Sequence, residues 1–273
     1  MSVTVQEYLR QLKEKGLAEE TVLSYRLVLK HFEKKQLTEQ VIRSYISTIG
    51  HYQLNTKRGC LEKLKRYLKQ AKPELAKAVI IPKVPKVLPK DIPSQEEVTA
   101  ILNKPDVSTF VGLRDRVILE LLYSTGLRKK ELWQLKVEDI DPIKQLVRVN
   151  QGKNKKDRIV PISKVSLEWV VKYLTKVRPM LKPRCNHIFL DRHGEQMGRH
   201  TPYSIVKKYS ANGCHKYRHA YATHLLQNGM KETSLQRLLG HSLITTTQVY
   251  TKVTIQDLQH TYQRYHPRDR WAR

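Results

Sequence analysis

The sequence predicts a mainly α-helical protein with one small β-sheet or hairpin, built as two domains. Three features carry this expectation. Apolar residues recur at helical spacing through most of the chain. One stretch switches to β-type residues around a turn. A proline-rich segment separates a shorter helical region from a longer one. The 273 residues suffice for one large domain or two ordinary ones, and an apolar fraction of 40% is adequate for real cores.

Residues 1–80 read as four helices. "TVQEYLRQLKEKG" sets Val5, Leu9 and Leu12 on one face and stops at Gly16. "ETVLSYRLVLKHFEKK" repeats Val22, Tyr25, Leu29 and Phe32 at helical spacing. "TEQVIRSYISTI" and "TKRGCLEKLKRYLKQ" follow, the latter with Leu61, Leu64 and Leu68 on its apolar side. Its other side carries Lys57, Arg58, Lys63, Lys65, Arg66 and Lys69. A charged helix face is ordinarily just solvated. Here the excess has one sign and runs on into the next segment, which favours contact with DNA.

That segment, residues 81–93, is the boundary. Prolines 82, 85, 89 and 93 exclude helix and sheet interior, so a semi-rigid extended linker is expected. Its Lys83, Lys86 and Lys90 can lie along phosphates.

Residues 94–273 form the second domain. Ser94 and Glu97 make a capping box for a new helix. "GLRDRVILELLYSTG" is a strongly apolar helix ending near Gly126, the expected centre of the larger core. "KQLVRVNQGKNKKDRIVPIS" reads as a hairpin around a Gly/Asn/Lys turn. "SLEWVVKYLTKV" returns to helix, and "NHIFLDRHGEQMG" suggests a short strand and turn. The remainder is helical, with stops at Gly229 and Gly240, and the chain shows no internal repeat and no low-complexity tail.

The charge balance narrows the partner. Against 25 acidic residues stand 51 Lys and Arg, a formal charge of +26. Such an excess attracts polyanions, of which nucleic acid is the commonest. An acidic membrane surface would call for a basic amphipathic anchor, and no segment stands out as one. No signal peptide is expected, because residues 1–15 are charged and helical in period. Nor is any apolar run long enough to cross a bilayer. Cys60, Cys185 and Cys214 are scattered and odd in number, which argues against a disulfide framework and for a reducing cytoplasm. Cys185 and His187 are spaced like ligands, but no second pair follows, so no metal is expected.

Four islands carry unusual combinations: "STGLRKKEL" with Arg128, the hairpin tip "GKNKKDR" with Lys153, Lys155 and Lys156, "HKYRHAYATHLL" with His215 and Arg218 on one helix face, and "LLGHSLITTTQVY" with His241 and Tyr250. Singly, each has a plain reading as surface charge, cap or core aromatic. Together they describe phosphodiester chemistry. Two arginines grip the non-bridging oxygens, since guanidinium matches them bidentately and keeps its charge. Histidines donate to those oxygens or move a proton near neutral pH. A lysine protonates a departing alkoxide, and a tyrosine attacks phosphorus and holds it covalently. Fixed cationic donors then meet the developing charge without a metal.

In this order the boxes "TGLRKKEL", "GKNKKDRIVPI", "HKYRH", "LLGHS" and "TTTQVY" resemble those of the tyrosine recombinases, the family of phage integrases and Xer-type recombinases. The resemblance covers nearly the whole chain, including the N-terminal module ("TVLSYRLVLKHF" and "NTKRGCLEKLKRYL") that in this family clasps core-site DNA. It implies a helical core-DNA-binding, SAM-like domain at residues 1–80 and a catalytic domain at 94–273, together a C-shaped clamp on DNA. Arg128 and Arg218 would bind the scissile phosphate, and Lys153 would be general acid to the departing 5′-hydroxyl. His215 would assist proton transfer at the tyrosine, His241 would donate to a phosphate oxygen, and Tyr250 would be the nucleophile. The chain departs from the family pattern where "GKNKKDR" lacks the second glycine many relatives have after the lysine. That leaves Lys155 and Lys156 open beside the favoured Lys153. Tyr217 stands where an aliphatic residue is common, a packing change.

The resemblance further implies site-specific cutting and rejoining of duplex DNA through a 3′-phosphotyrosyl intermediate and a Holliday junction, with no cofactor, ATP or metal. The implied assembly is a homotetramer on two DNA sites, weakly associated or monomeric when free, with a sister recombinase as a possible partner. Its place would be the cytoplasm, on the nucleoid. Its tasks would be integration or excision of a mobile element, or resolution of replicon dimers. No further domain is expected before the core-binding module, which suits a simple Xer-type or small mobile-element recombinase better than a large integrase with separate arm-site binding. The tail "VTIQDLQHTYQRYHP" sets Ile255, Leu258, Tyr262 and Tyr265 on one helical side, with Thr254 and Asp257 at its start. It either packs on its own domain or, in the family manner, docks into a neighbouring protomer. Two other functions use some of the same features: a type IB topoisomerase-like nicking-closing enzyme and a non-catalytic basic DNA-binding protein.

Overall fold

The computed structural model describes residues 3–84, 91–150, 157–240 and 255–270. The chain divides into two units, Met1–Leu88 and Pro89–Arg273. In the first unit, Thr4 starts α1 (Val5–Glu14) by accepting a hydrogen bond from the Glu7 N–H at 3.2 Å. Helix α2 (Glu19–Leu29) tightens into a 3₁₀ turn at Lys30–Phe32. Thr38 caps α3 (Glu39–Thr48), and the long α4 (Leu54–Ala71) follows. A short α5 (Pro73–Ala76) was not expected from periodicity, because four residues are too few to show any. Its Pro73 sits in the first turn, where a missing N–H costs no intrahelical bond. The apolar stripes of α1, α2 and α4 converge as the spacing predicts, burying Leu9, Leu12, Val22, Tyr25, Leu29, Phe32, Leu61, Leu64 and Leu68 in one core.

In the second unit Ser94 forms the expected capping box. Its Oγ accepts from the Glu97 N–H at 3.2 Å, and its own N–H donates to Glu97 Oε2 at 2.8 Å. Helices α6 (Gln95–Leu102), α7 (Phe110–Thr125) and α8 (Lys129–Gln134) lead to strands β1 (Ile140–Asp141), β2 (Leu146–Val149) and β3 (Arg158–Pro161). Then come α9 (Lys164–Lys176), α10 (Thr201–Tyr209), α11 (Cys214–Gln227), α12 (Glu232–Leu239), α13 (Ile255–Tyr265) and α14 (Pro267–Arg270).

The antiparallel sheet runs in the order β1-β2-β3. Val147 faces Val160 and Val149 faces Arg158, so Val147, Val149 and Val160 turn to the core while Arg148 and Ile159 turn out. Two-residue β1 escaped the sequence reading for the same reason as α5. Over "NHIFLDRHGEQMG" the expected strand is absent. Lys136 pairs with His187 and Leu190 with Gln196 as isolated bridges, so the segment packs Ile188, Phe189 and Leu190 into the core without building a ladder.

Helix α7 is the centre of the larger core, packed against α6, α8, α9, α10 and α11. Being covered on all sides, it must also bury polar groups, and the charged ones, Asp115, Arg116 and Glu120, are all paired. Glu120 accepts from Arg116 Nε at 3.0 Å, from Ser166 Oγ at 2.8 Å and from Arg268 Nε at 3.2 Å. Arg268 comes from α14, so this carboxylate joins the tail to the middle of the unit. Tyr262, fully buried, adds a hydrogen bond to the Ser124 carbonyl at 2.6 Å. Tyr262 and Arg268 thus attach α13 and α14 to their own unit. Tyr262 and Tyr265 take the places the stripe predicts, whereas Thr254 and the side chains of Ile255, Asp257 and Leu258 lie outside what is described.

Among the described residues no helix is long and apolar enough to cross a membrane. Among the same residues no group of three or more His, Cys, Asp or Glu is placed to hold a metal ion.

Candidate active site

The site begins where α7 stops. Gly126 has φ +60°, and a Cβ there would stand 2.7 Å from the Tyr221 ring, so a left-handed turn and the absence of a side chain are both required. The turn delivers Arg128 to the start of α8 and leaves the Gly126 carbonyl pointing at α11. There Arg218 receives it. Its Nη1 donates to Gly126 O at 2.5 Å and its Nη2 to Leu239 O, at the end of α12, at 2.5 Å. One guanidinium thus braces the C-terminal ends of two helices, where carbonyl dipoles favour a cation.

Arg218 is only 8% exposed. Burial lowers its pKa, Arg128 and Arg158 lower it further, and Glu131 resists, leaving it at about 10. It therefore remains a cation at neutral pH. Its charge is poorly hydrated, the state in which an anion is bound most strongly.

Glu131, one turn into α8, sits between two more arginines. Arg158 approaches as a fork, Nη1 to Oε1 and Nη2 to Oε2, both at 2.8 Å. Arg128 adds its Nη1 to Oε1 at 2.7 Å and its backbone N–H to Oε2 at 2.8 Å. Burial would raise the Glu131 pKa. The hydrogen bonds from Arg158 and from Arg128 outweigh it and hold the carboxyl at about 2.

His215 is exposed in the first turn of α11, and Arg218 follows it on the same helix. Tyr217 is fully buried, as a packing residue should be. Lys153, Lys155, Lys156, His241 and Tyr250 lie outside the described residues, as do Lys86 and Lys90 of the linker. The structure therefore brings together Arg128 and Arg218, and it adds two residues the sequence reading passed over, Glu131 and Arg158. Glu131 had a local signal in its three-residue spacing from Arg128, the interval at which a helix-start carboxylate reaches back to the cap. Arg158 had none, because its partners lie far away in the chain.

The basic side of α4 is less free than its pattern suggests. Lys65 Nζ donates to the Val79 carbonyl at 2.8 Å, fastening the helix to the chain beyond α5. Arg66 reaches Tyr25 Oη at 3.4 Å, Lys63 the Gly59 carbonyl at 3.2 Å, and Arg58 pairs with Glu62 at 2.8 Å. Arg66, Lys69 and Lys83 are exposed, while Lys57, Arg58, Lys63 and Lys65 are half-buried.

A helical unit whose small sheet and helix ends gather arginines is the setting for chemistry on a phosphodiester, and the comparisons with known proteins agree. Residues 93–257 match the model of the phage integrase family. The chain belongs to this family, the tyrosine-type site-specific DNA recombinases. It is 36% identical to the tyrosine recombinase XerD of Staphylococcus epidermidis, over 98% of this chain and 100% of that protein. To the tyrosine recombinase XerC 2 of Ralstonia nicotianae it is 34% identical, over 97% of this chain and 79% of that one. Among solved structures, the Tn1549 transposon integrase in complex with transposon right end DNA has a TM-score of 0.68 at 20% identity, covering 97% of this chain and 95% of that one. A lambda integrase dimer bound to a core site has a TM-score of 0.67 at 18% identity, covering 91% and 98%. At these identities the solved structures speak for the fold.

Proposed function

We propose that this recombinase cuts and rejoins duplex DNA through a 3′-phosphotyrosyl bond to Tyr250. Arg128 and Arg218 bind the scissile phosphate, His241 donates to one of its oxygens, and His215 assists proton transfer at the tyrosine. Lys153 protonates the departing 5′-hydroxyl, with Lys155 and Lys156 as the alternatives. The observation that carries this reading is the placement of Arg218. It is buried, charged and fixed between two helix ends, with Arg128 close enough to perturb it.

Residues 1–80 serve as the core-DNA-binding domain, 81–93 as the linker and 94–273 as the catalytic domain. Phosphate contacts come from the basic side of α4 and from Lys83, Lys86 and Lys90. The working assembly is a homotetramer on two sites, consistent with the lambda integrase tetramer that is known bound to a Holliday junction. A sister recombinase is the alternative partner, and recombination of two sites by the purified chain alone decides between them. The site of action is the nucleoid.

The test starts from duplexes selected by binding from a random-sequence pool, each then nicked to trap cleavage. A covalent complex that survives denaturation, and is lost in Tyr250→Phe, is the expected result. No adduct on any selected duplex, or an adduct that persists in Tyr250→Phe, refutes the assignment. Strand exchange between two sites separates a recombinase from a nicking-closing enzyme.

A further inference from the structure

Arg158 has no role in the function just described, yet it touches several segments on which that function depends. It is the first residue of β3, and the hairpin tip bearing Lys153 ends immediately before Asp157. Its two terminal nitrogens hold both oxygens of Glu131, the carboxylate that also receives Arg128. Its Nε donates to the Leu238 carbonyl at 3.2 Å, close to the point where α12 leads into His241. Gly240 permits this approach: its φ is +62°, and a Cβ there would stand 2.9 Å from Arg158 Cδ. All three nitrogens of this guanidinium bond to protein, and its side chain is 11% exposed. It is placed to act on its neighbours.

We propose that Arg158 is a positioning residue that occupies Glu131 as a two-pronged partner, so that Arg128 stays aimed at the scissile phosphate while the end of α12 is held beside it. The inference rests on the reading of Arg128 as a phosphate ligand. Its physical basis is competition. A carboxylate and a guanidinium pair best as fork on fork. With Arg158 in place, the Arg128 side chain gives Glu131 one N–H, through Nη1. Without Arg158, Glu131 has both oxygens to offer Arg128, and its attraction turns that guanidinium away from DNA. A lysine at 158 restores charge but cannot span both oxygens and the Leu238 carbonyl together.

The experiment uses the full chain and a nicked duplex selected by binding, and reads single-turnover formation of the tyrosyl adduct. One substrate carries an ordinary scissile phosphodiester. The other carries a methylphosphonate there, which has lost the anionic oxygen that Arg128 neutralises. Arg158→Met is expected to slow the reaction about 100-fold on the diester, the scale of a misplaced catalytic group. On the methylphosphonate its deficit relative to wild type should shrink to about 5-fold or less. Arg158→Lys should lose about 10-fold on the diester with the same narrowing, and it carries the test if the methionine variant melts too early to assay. Equal deficits on the two substrates mean a general structural role and overturn the inference, as does an unchanged rate on the diester. A wild-type chain that forms no Tyr250-dependent adduct instead refutes the function itself, so the two failures are distinct.

Discussion

The cations of α4 and those around Glu131 belong to one chain and follow different rules. On α4 four lysines and two arginines spread along a helix side, with local ties such as Arg58 to Glu62 one turn on. Around Glu131 all three cations are arginines, they come from separate elements, and they are mostly buried. Exposed charge acts at long range, is screened by salt and is nearly interchangeable from one residue to the next. Buried charge acts only where its geometry is fixed, and it must be matched by a partner. The number of cations matters in the first region, and their placement matters in the second.

Substitutions that keep charge but lose shape should separate the two most sharply. Arg218→Lys keeps a cation yet cannot bridge Gly126 and Leu239, so adduct formation should fall about 1000-fold with little change in DNA affinity. A near-normal rate would erase the distinction.

Glu131 gives the next effect, through pH. Its carboxyl is held at about 2 by Arg158 and Arg128 against the opposing effect of burial. Because the folded pKa lies below the ordinary carboxylate value, this group stabilises the fold fully above about pH 4.3. That contribution is lost as pH falls through about 2. Denaturant unfolding between pH 6 and pH 2 should show wild type losing about 3 kcal/mol more than Glu131→Gln. Glu131→Gln has no carboxyl to titrate and should show a flatter acid limb. Identical acid limbs would mean that the carboxylate is not stabilised by its arginines.

Gly240→Ala should cost about 1–2 kcal/mol for the left-handed backbone alone, read from denaturant melts. Unchanged stability would show that the α12 end has room to relax. The smallest change belongs to α4. Lys69→Ala should lower the slope of log affinity against log salt by about 0.9 and leave the adduct rate at saturating DNA unaltered. A lost rate would place Lys69 among the residues whose geometry counts.

This contrast also explains what could be read in advance. Helices appear where stripes and caps predict them because both signals are local. Ser94 and Glu97 lie three residues apart, and the buried face of α4 repeats every turn. Arg128 and Arg218 were legible through their motifs, and Gly126 through its place after an apolar helix. The pairing of Glu131 with Arg158 and Leu238 was not, because it joins three elements across long stretches of chain, and no periodicity encodes such a closure. Inside "GLRKKEL" the acid looks like a helix-start residue, and inside "KKDRIV" the arginine looks like one more charge on a turn. The tail was legible as an amphipathic helix. Its attachment through Arg268 was not, since a buried arginine is defined by the carboxylate that waits for it.

That attachment makes the tail part of the core. Arg268 reaches Glu120 in the middle of α7, and Tyr262 reaches the Ser124 carbonyl one turn later. Glu120 has no exposed surface, so without α14 its carboxylate would stay buried with one cation fewer beside Arg116 and Ser166. The larger unit therefore completes its core only when α13 and α14 have docked on α7.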